Sequence, residues 1–168
     1  ARWRDAGRSV EFWWRDDDAA QLSPALGRLL AQSSSFGVPL AVAVIPERAE
    51  QALFGELGDT ISILQHGTDH LNRAAPGEKK TEFPPAEPAQ VAIARLAVSR
   101  DRLRAMSGGR ALPVLAPPWN RMPSALIPEL SAAGFRGLSR YGARDAREPA
   151  PAIVQVNTHV DIIAWQAH

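Results

Sequence analysis

The chain contains no cysteine and only four histidines among 168 residues. The missing thiols exclude disulfides, thiolate zinc sites and a cysteine nucleophile, so any metal must be held by nitrogen and oxygen ligands. An excess of one charge is also lacking. Nineteen basic against 18 acidic residues leave a formal net charge of +1, too little to generate a field that holds DNA, RNA or an anionic membrane. Nucleic acid is therefore not an expected partner. No apolar run approaches the roughly 20 residues needed to span a bilayer, and the opening ARWRDAGRSVEF has basic residues without an apolar signal-peptide core. A soluble protein is expected. Because Ala1 is not an initiator methionine, a cytoplasmic location and export with the signal already removed both fit. One domain, 1–168, is long enough to bury a core without covalent or metal staples.

What is present is a series of short apolar runs rich in β-branched or aromatic residues. SVEFWW (9–14), VPLAVAVI (38–45), TISILQ (60–65), LPVLA (112–116), FRGLS (135–139) and AIVQV (152–156) read as strands, most of them apolar enough to be covered on both faces. Between them lie segments with helical spacing. Leu22, Leu26, Leu29 and Leu30 form one stripe behind a Ser23-Pro24 start. Val91, Ile93, Leu96, Leu103 and Met106 form a second between Pro88 and Gly108-Gly109. Leu126, Ile127 and Leu130 form a third between Pro123 and Gly134. Alternating strands and helices predict right-handed βαβ units and a mainly parallel sheet, open or closed into a barrel. The polar, proline-rich stretch 73–88, RAAPGEKKTEFPPAEP, is too long for a simple connection and predicts an excursion over one end of the sheet. After the last strand region, AIVQVNTHVDIIAW, only three residues follow, so a covering helix and a closing strand are expected beyond residue 168.

In such folds reactive groups collect at the C-terminal ends of the strands, which share one rim. Four ends qualify: Arg15-Asp16-Asp17-Asp18, His66-Gly67-Thr68-Asp69-His70, Pro117-Pro118-Trp119-Asn120-Arg121 and Asn157-Thr158-His159-Val160-Asp161. Pro46-Glu47-Arg48, after the second strand, reads as a helix entry. Three adjacent aspartates repel one another at the mouth of a buried sheet unless a cation or donors compensate; the plain alternative is a solvated acidic turn neutralised by Arg15. His66 and His70 stand four apart, which on a first helical turn puts them on one face with Cβ atoms about 6 Å apart, a span that one divalent ion can bridge at about 2.1 Å per nitrogen. Alone, that spacing fits two structural histidines equally well. Joined to the aspartates it predicts a two-histidine, one-carboxylate metal site with positions left open for water and substrate. His159 is placed as a general acid or base, or as a hydrogen-bonded rim residue. Trp119 would form a flat wall for a sugar ring or small ligand, or else a core contact.

These residues resemble the polysaccharide deacetylases of the NodB-homology type, carbohydrate esterase family 4. The family's TFDDG motif is similar to Arg15-Asp16-Asp17-Asp18-Ala19, its H-[ST]-x-x-H motif to the stretch from His66 to His70 with Gly67 in the small-residue position, and its RxPxG motif to Ala116-Pro117-Pro118-Trp119-Asn120. The resemblance implies a distorted (β/α) barrel in the α/β class, incomplete at the C-terminus here, forming a deacetylase-like catalytic domain. It implies a divalent metal, zinc first, with cobalt, nickel or manganese as alternatives, held by Asp18, His66 and His70. Asp17 would be the catalytic base. The other aspartate register, with Asp16 as base and Asp17 as ligand, fits the pattern less well, since divergent members read RxDD. Ala116 stands where the family has the arginine that orients the base, leaving Arg15 or Arg121 to supply that charge. NTHVDIIAW matches either of two late motifs: in one His159 is the general acid, in the other Asp161 and Trp165 support the site and the acid lies beyond His168.

The function so implied is a metal-dependent hydrolase that removes acetyl groups from N- or O-acetylated sugars in carbohydrate metabolism. Water activated at the metal would attack, Asp17 would take its proton and a histidine would protonate the leaving group, while Trp119, Asn120 and Arg121 shape the substrate groove and Asp16 and Arg15 support the base. Hydrolysis of small cyclic amides, which other members of the superfamily carry out, is one alternative. A non-catalytic carbohydrate-binding protein that keeps the barrel is the other.

Overall fold

The structure is a computed structural model that describes residues 5–7 and 12–162. Six strands, β1 (Trp14–Ala19), β2 (Leu40–Val44), β3 (Ser62–His66), β4 (Val114–Ala116), β5 (Gly137–Leu138) and β6 (Val154–Gln155), form one sheet in sequence order. Every pairing is parallel. Among the described residues β1 and β6 do not pair, so the barrel expected from the sequence is open on that side. Three helices lie between strands: α1 (Pro24–Phe36), α2 (Gln51–Glu56) and α3 (Ala89–Met106).

The parallel register sorts the side chains into two faces, because successive residues of a strand point opposite ways. Val42 stands beside Ile63, and both join Leu26, Leu53, Phe54 and Leu103 from the three helices in one buried cluster. Leu115 and Leu138 continue this covered face against Leu96 of α3. On the other face Ala41, Ala43, Leu64 and Ala116 pack with Trp13 and Val114, their small side chains leaving room for the rim groups above them. Arg15 is in register with Ala41 and therefore shares this inner face, whereas Asp16, in register with Val42, points to the helical side.

The first strand begins and ends later than its apolar run predicts. Ser9, Val10 and Glu11 lie outside the described residues, Phe12 is exposed, and the acidic triplet is part of β1 itself. Polar residues hold this strand because the inward ones meet partners from β5 and from the turn after β4. Between Asp16 and Ala19 the chain takes three steps while β2 takes two, a β-bulge with Asp18 in the left-handed region at φ 66°. One extra residue there reverses the alternation and turns Asp18 away from the side to which Asp16 points.

Helix α1 starts as its sequence predicts: Ser23 Oγ accepts the Leu26 amide at 3.1 Å, Pro24 opens the first turn, and Gly37 at φ 61° ends it. Leu22 precedes the helix and is exposed. In α3 the buried stripe is Ala92, Leu96, Ser99 and Leu103, and Val91 faces solvent. The third predicted helix is instead two 3-10 turns, Ser124–Leu126 and Pro128–Ser131. Pro128 has no N–H to donate to the carbonyl four residues earlier, so the α-helical ladder is interrupted there although Ile127 keeps right-handed helical backbone, yet Leu126, Ile127 and Leu130 are still buried. The stretch 73–88 is an excursion, as expected, but Glu82 and Phe83 within it have no exposure at all.

Leu96→Ala is expected to destabilise the protein by about 2–5 kcal/mol, because it removes a fully buried side chain from the contact between α3 and the sheet. On the same helix Val98→Ala, at an exposed position, should change stability by no more than about 0.5 kcal/mol. Urea denaturation of the two variants beside the parent chain measures the contrast.

Candidate metal centre

His66 is the last residue of β3 and is buried, with its Nδ1 2.9 Å from the carbonyl oxygen of Ala116 on the neighbouring strand. A carbonyl only accepts, so Nδ1 carries the proton and Nε2 presents its lone pair to the rim. His70 reaches the same point by a different route from that expected. Residues 67–70 form no helical turn; Gly67 at φ 58° and His70 at φ 57° are both left-handed and fold the loop back over the strand end. The imidazole centroids are 5.2 Å apart. Each Nε2 lies 2.9 Å from Asp18 Oδ1, which the β1 bulge delivers from the other side.

The donor set fits a divalent ion. Asp18, His66 and His70 each offer one ligand atom, and these atoms lie within 4.8 Å of one another. Two ligands about 2.1 Å from one ion are separated by about 3.0 Å at a right angle and about 3.4 Å at a tetrahedral angle. The 2.9 Å spacings are close to these separations, and Asp18, with a side chain 63% exposed, leaves the outer side open. A carbonyl that accepts from the far nitrogen, as Ala116 does from His66, is the usual means of fixing the tautomer of an imidazole that could hold a metal. With a proton on His66 Nε2, where an ion would otherwise sit, the hydrogen bond from that nitrogen holds the Asp18 carboxyl below its ordinary pKa, and burial pushes His70 below the usual imidazole range. Both shifts favour an anionic oxygen and a neutral nitrogen, the forms that bind a cation.

Asp17 points inward, away from that cluster. Arg15, two residues earlier on the same face and with a side chain only 3% exposed, grips both its oxygens: Nε to Oδ1 at 2.8 Å and Nη2 to Oδ2 at 2.9 Å. The guanidinium is itself anchored, Nη2 donating to Asn120 Oδ1 at 2.6 Å and Nη1 to Ser139 Oγ at 2.7 Å. Of the two arginines considered for the charge missing at Ala116, Arg15 is therefore the one beside Asp17. Arg121 turns away, donating to the Lys80 carbonyl at 3.0 Å. Asp16 stays on the helical side, and burial, followed by repulsion from Asp17 and Asp18, raises its pKa.

Trp119 and Asn120 are consecutive left-handed residues, at φ 53° and 57°. That turn sends Asn120 inward to Arg15 and lays the Trp119 ring against His70, with centroids 4.4 Å apart. Neither residue is a free wall for substrate alone: Trp119 is half-buried on a candidate ligand, and the Asn120 carboxamide is engaged. His159 is exposed and makes no hydrogen bond or ion pair among the described residues, although its neighbour Thr158 donates its amide to the Arg140 carbonyl. Asp161 is exposed as well, and Trp165 lies outside the described residues. Two contributors were absent from the sequence reading. Ser139 ends an expected strand at the expected rim, which was a usable signal; Glu82, whose Oε1 accepts the Thr68 amide at 2.8 Å, sits in the stretch read as a polar surface excursion.

No protein-family model and no curated protein matches the sequence. Solved structures do match the fold. A family 4 carbohydrate esterase from Streptomyces lividans, in complex with acetate, superposes with a TM-score of 0.60 at 12% identity, over 79% of this chain and 62% of that one. The Xyl-CE4 domain of a multidomain xylanase from the hindgut metagenome of Trinervitermes trinervoides gives 0.55 at 11% identity, over 76% and 56%. A de-N-acetylase from Aggregatibacter actinomycetemcomitans gives 0.63 at 10% identity, over 92% and 74%. The chain thus spans less than two thirds of the length of the first two. At such identities the likeness concerns the fold, and the conclusion is that this chain carries the α/β fold of the polysaccharide deacetylase type.

Proposed function

We propose that the protein is a metal-dependent hydrolase that removes acetyl groups from N- or O-acetylated sugars. The observation that carries this reading is the pairing of two carboxylates from one bulged strand: Asp18 meets two imidazoles, and Asp17 is held by both its oxygens beside them. A divalent ion, zinc first, held by Asp18, His66 and His70 would supply Lewis-acid polarisation of the acyl oxygen and of the attacking water. Asp17 is the base that takes the proton from that water. Arg15 holds it fixed in direction by bonding both its oxygens, and Asn120 and Ser139 fix Arg15 in turn. Such a shell pre-orients the base, so little reorganisation accompanies proton transfer.

His159 is the group assigned to protonate the departing amine or alkoxide. Its support is positional: Thr158 binds the same Arg140 carbonyl that Arg15 Nη1 approaches at 3.5 Å, which puts the 157–161 segment next to the Arg15–Asp17 pair. Its exposure and lack of partners also favour a second reading, a protein that binds glycans without cleaving them. Small cyclic amides remain an alternative substrate class for the hydrolase.

Three expected outcomes separate these readings. Zinc or cobalt at about 100 times its Kd should stabilise the folded chain by about 2.7 kcal/mol, read as a rise in Tm, and His66→Ala should abolish the rise. Asp17→Asn should retain metal binding yet lower acetate release from chitooligosaccharides, acetylxylan or peptidoglycan fragments by about 100-fold or more, the scale of a lost general base. Glycan binding unchanged by both substitutions, with no acetate released by the parent chain, would sink the hydrolase reading. Arg15→Met should cost about 3 kcal/mol, the low end for breaking a buried pair because Asp17 keeps 28% side-chain exposure. The double variant Arg15→Met with Asp17→Asn should cost less than the sum of the single changes, as denaturation of the four chains of the cycle would show.

A further inference from the structure

Glu82 lies in the excursion between β3 and α3 and has no solvent exposure. Its Oε1 gathers three donors from two of the three residues between His66 and His70: the Thr68 amide at 2.8 Å, the Thr68 hydroxyl, and the Asp69 amide at 3.4 Å. Among the described residues its Oε2 has no hydrogen-bond partner. That oxygen is packed against Gly67, where a Cβ would come within 2.1 Å of it and within 2.6 Å of the Pro118 ring on the other side. Arg73 fastens the outer edge, donating to both Asp69 oxygens at 2.9 and 2.6 Å. The loop between the imidazoles is therefore enclosed by a carboxylate and a proline ring, with no room for any residue but glycine at its first position.

Burial of a carboxylate costs several kcal/mol unless donors compensate, and here one oxygen goes uncompensated. A group kept at such a cost, whose carboxylate hydrogen bonds among the described residues all go to Thr68 and Asp69 and whose ion-pair neighbour Arg73, 4.0 Å away, itself braces Asp69, acts on that loop. We propose that Glu82 is the positioning residue of the two-histidine loop: it sets the separation and direction of His66 and His70 through the Thr68 and Asp69 amides. Gly67 and Glu82 are a matched pair, the glycine supplying the space that the carboxylate fills. This explains in physical terms why Gly67 stands where the resembled motif has serine or threonine. The proposal rests on the reading of Asp18, His66 and His70 as a metal centre.

Cobalt(II) titration of the full chain, followed by calorimetry and visible absorption, tests it. Glu82→Leu keeps the volume and removes the acceptor; it should weaken cobalt binding by about 10–100-fold, the usual effect of losing a supporting contact behind a ligand, and alter the absorption band. Glu82→Gln keeps a carbonyl for the Thr68 amide and should restore both affinity and spectrum to near the parent values. Gly67→Ala should weaken binding on its own, and combining it with Glu82→Ala should cost less than the two single losses together, because the clash is relieved. If Glu82→Leu does not fold, Glu82→Asp, which draws the carboxylate back by one methylene, takes its place with the same expected weakening. A folded Glu82→Leu or Glu82→Asp that binds cobalt with parent affinity and spectrum overturns the proposal. Failure of the parent chain to bind cobalt overturns the metal centre instead. In that event amide exchange decides for Glu82: faster exchange at Thr68 and Asp69 in Glu82→Leu supports its role, and unchanged exchange rejects it.

Discussion

Everything at the rim depends on one irregularity of strand pairing. Asp17 and Asp18 are neighbours in the chain, and on a regular strand they would point to opposite faces with Asp18 directed, like Asp16, toward the helices. The single extra residue of the β1 bulge breaks that alternation, and the left-handed backbone of Asp18 carries its carboxylate over the strand end to the two imidazoles. Adjacent carboxylates thereby acquire different partners, one a guanidinium and the other a pair of nitrogens. Repulsion between them is relieved at both ends. A non-glycine residue in this conformation costs about 1 kcal/mol or more, and it persists because His66 and His70 hold the carboxylate in place.

Ala116 links the two halves of the site. Its carbonyl fixes the tautomer of His66, and its small side chain belongs to the inner face on which Arg15 lies. The charge beside Asp17 then comes from β1, two residues upstream, rather than from β4. Asn120 and Ser139 complete that arrangement from two other strand ends. The turn that delivers Asn120 also presses Trp119 on His70, so the residues around Asp17 and those around Asp18 share one structural element.

Much of this was legible in the chain. The six strand regions and the starts and ends of α1 and α3 follow from apolar periodicity and cap chemistry, which are local. The clustering of RDDDA and QHGTDH at one rim follows from parallel βαβ topology, because every strand of such a sheet ends on the same side. Misreadings occurred where a distant partner overrode local preference. Arg15 and the aspartates look like a loop until Ser139 and Asn120 are seen to satisfy Arg15 inside a strand. His66 and His70 look helical because i, i+4 spacing suits a helix, whereas Gly67 starts the loop in the left-handed region and leaves to the Glu82 carboxylate and the Pro118 ring the space a side chain would fill. The apolar residues after Pro123 were correctly placed in the core, but Pro128 denied them an α-helix.

The sequence by itself determined which chemistry was available: oxygen and nitrogen ligands without sulfur, carried by strands that share a rim. Tertiary structure decided the different partners of Asp17 and Asp18, the placing of Arg15 rather than Arg121 beside Asp17, and the burial of Glu82 within a stretch that reads as solvent-exposed. The reason is range. Periodicity and caps act over a few residues, but the carboxylates at the bulge and the guanidinium beside them are held by contacts between residues 48 to 124 positions apart, which no local pattern encodes.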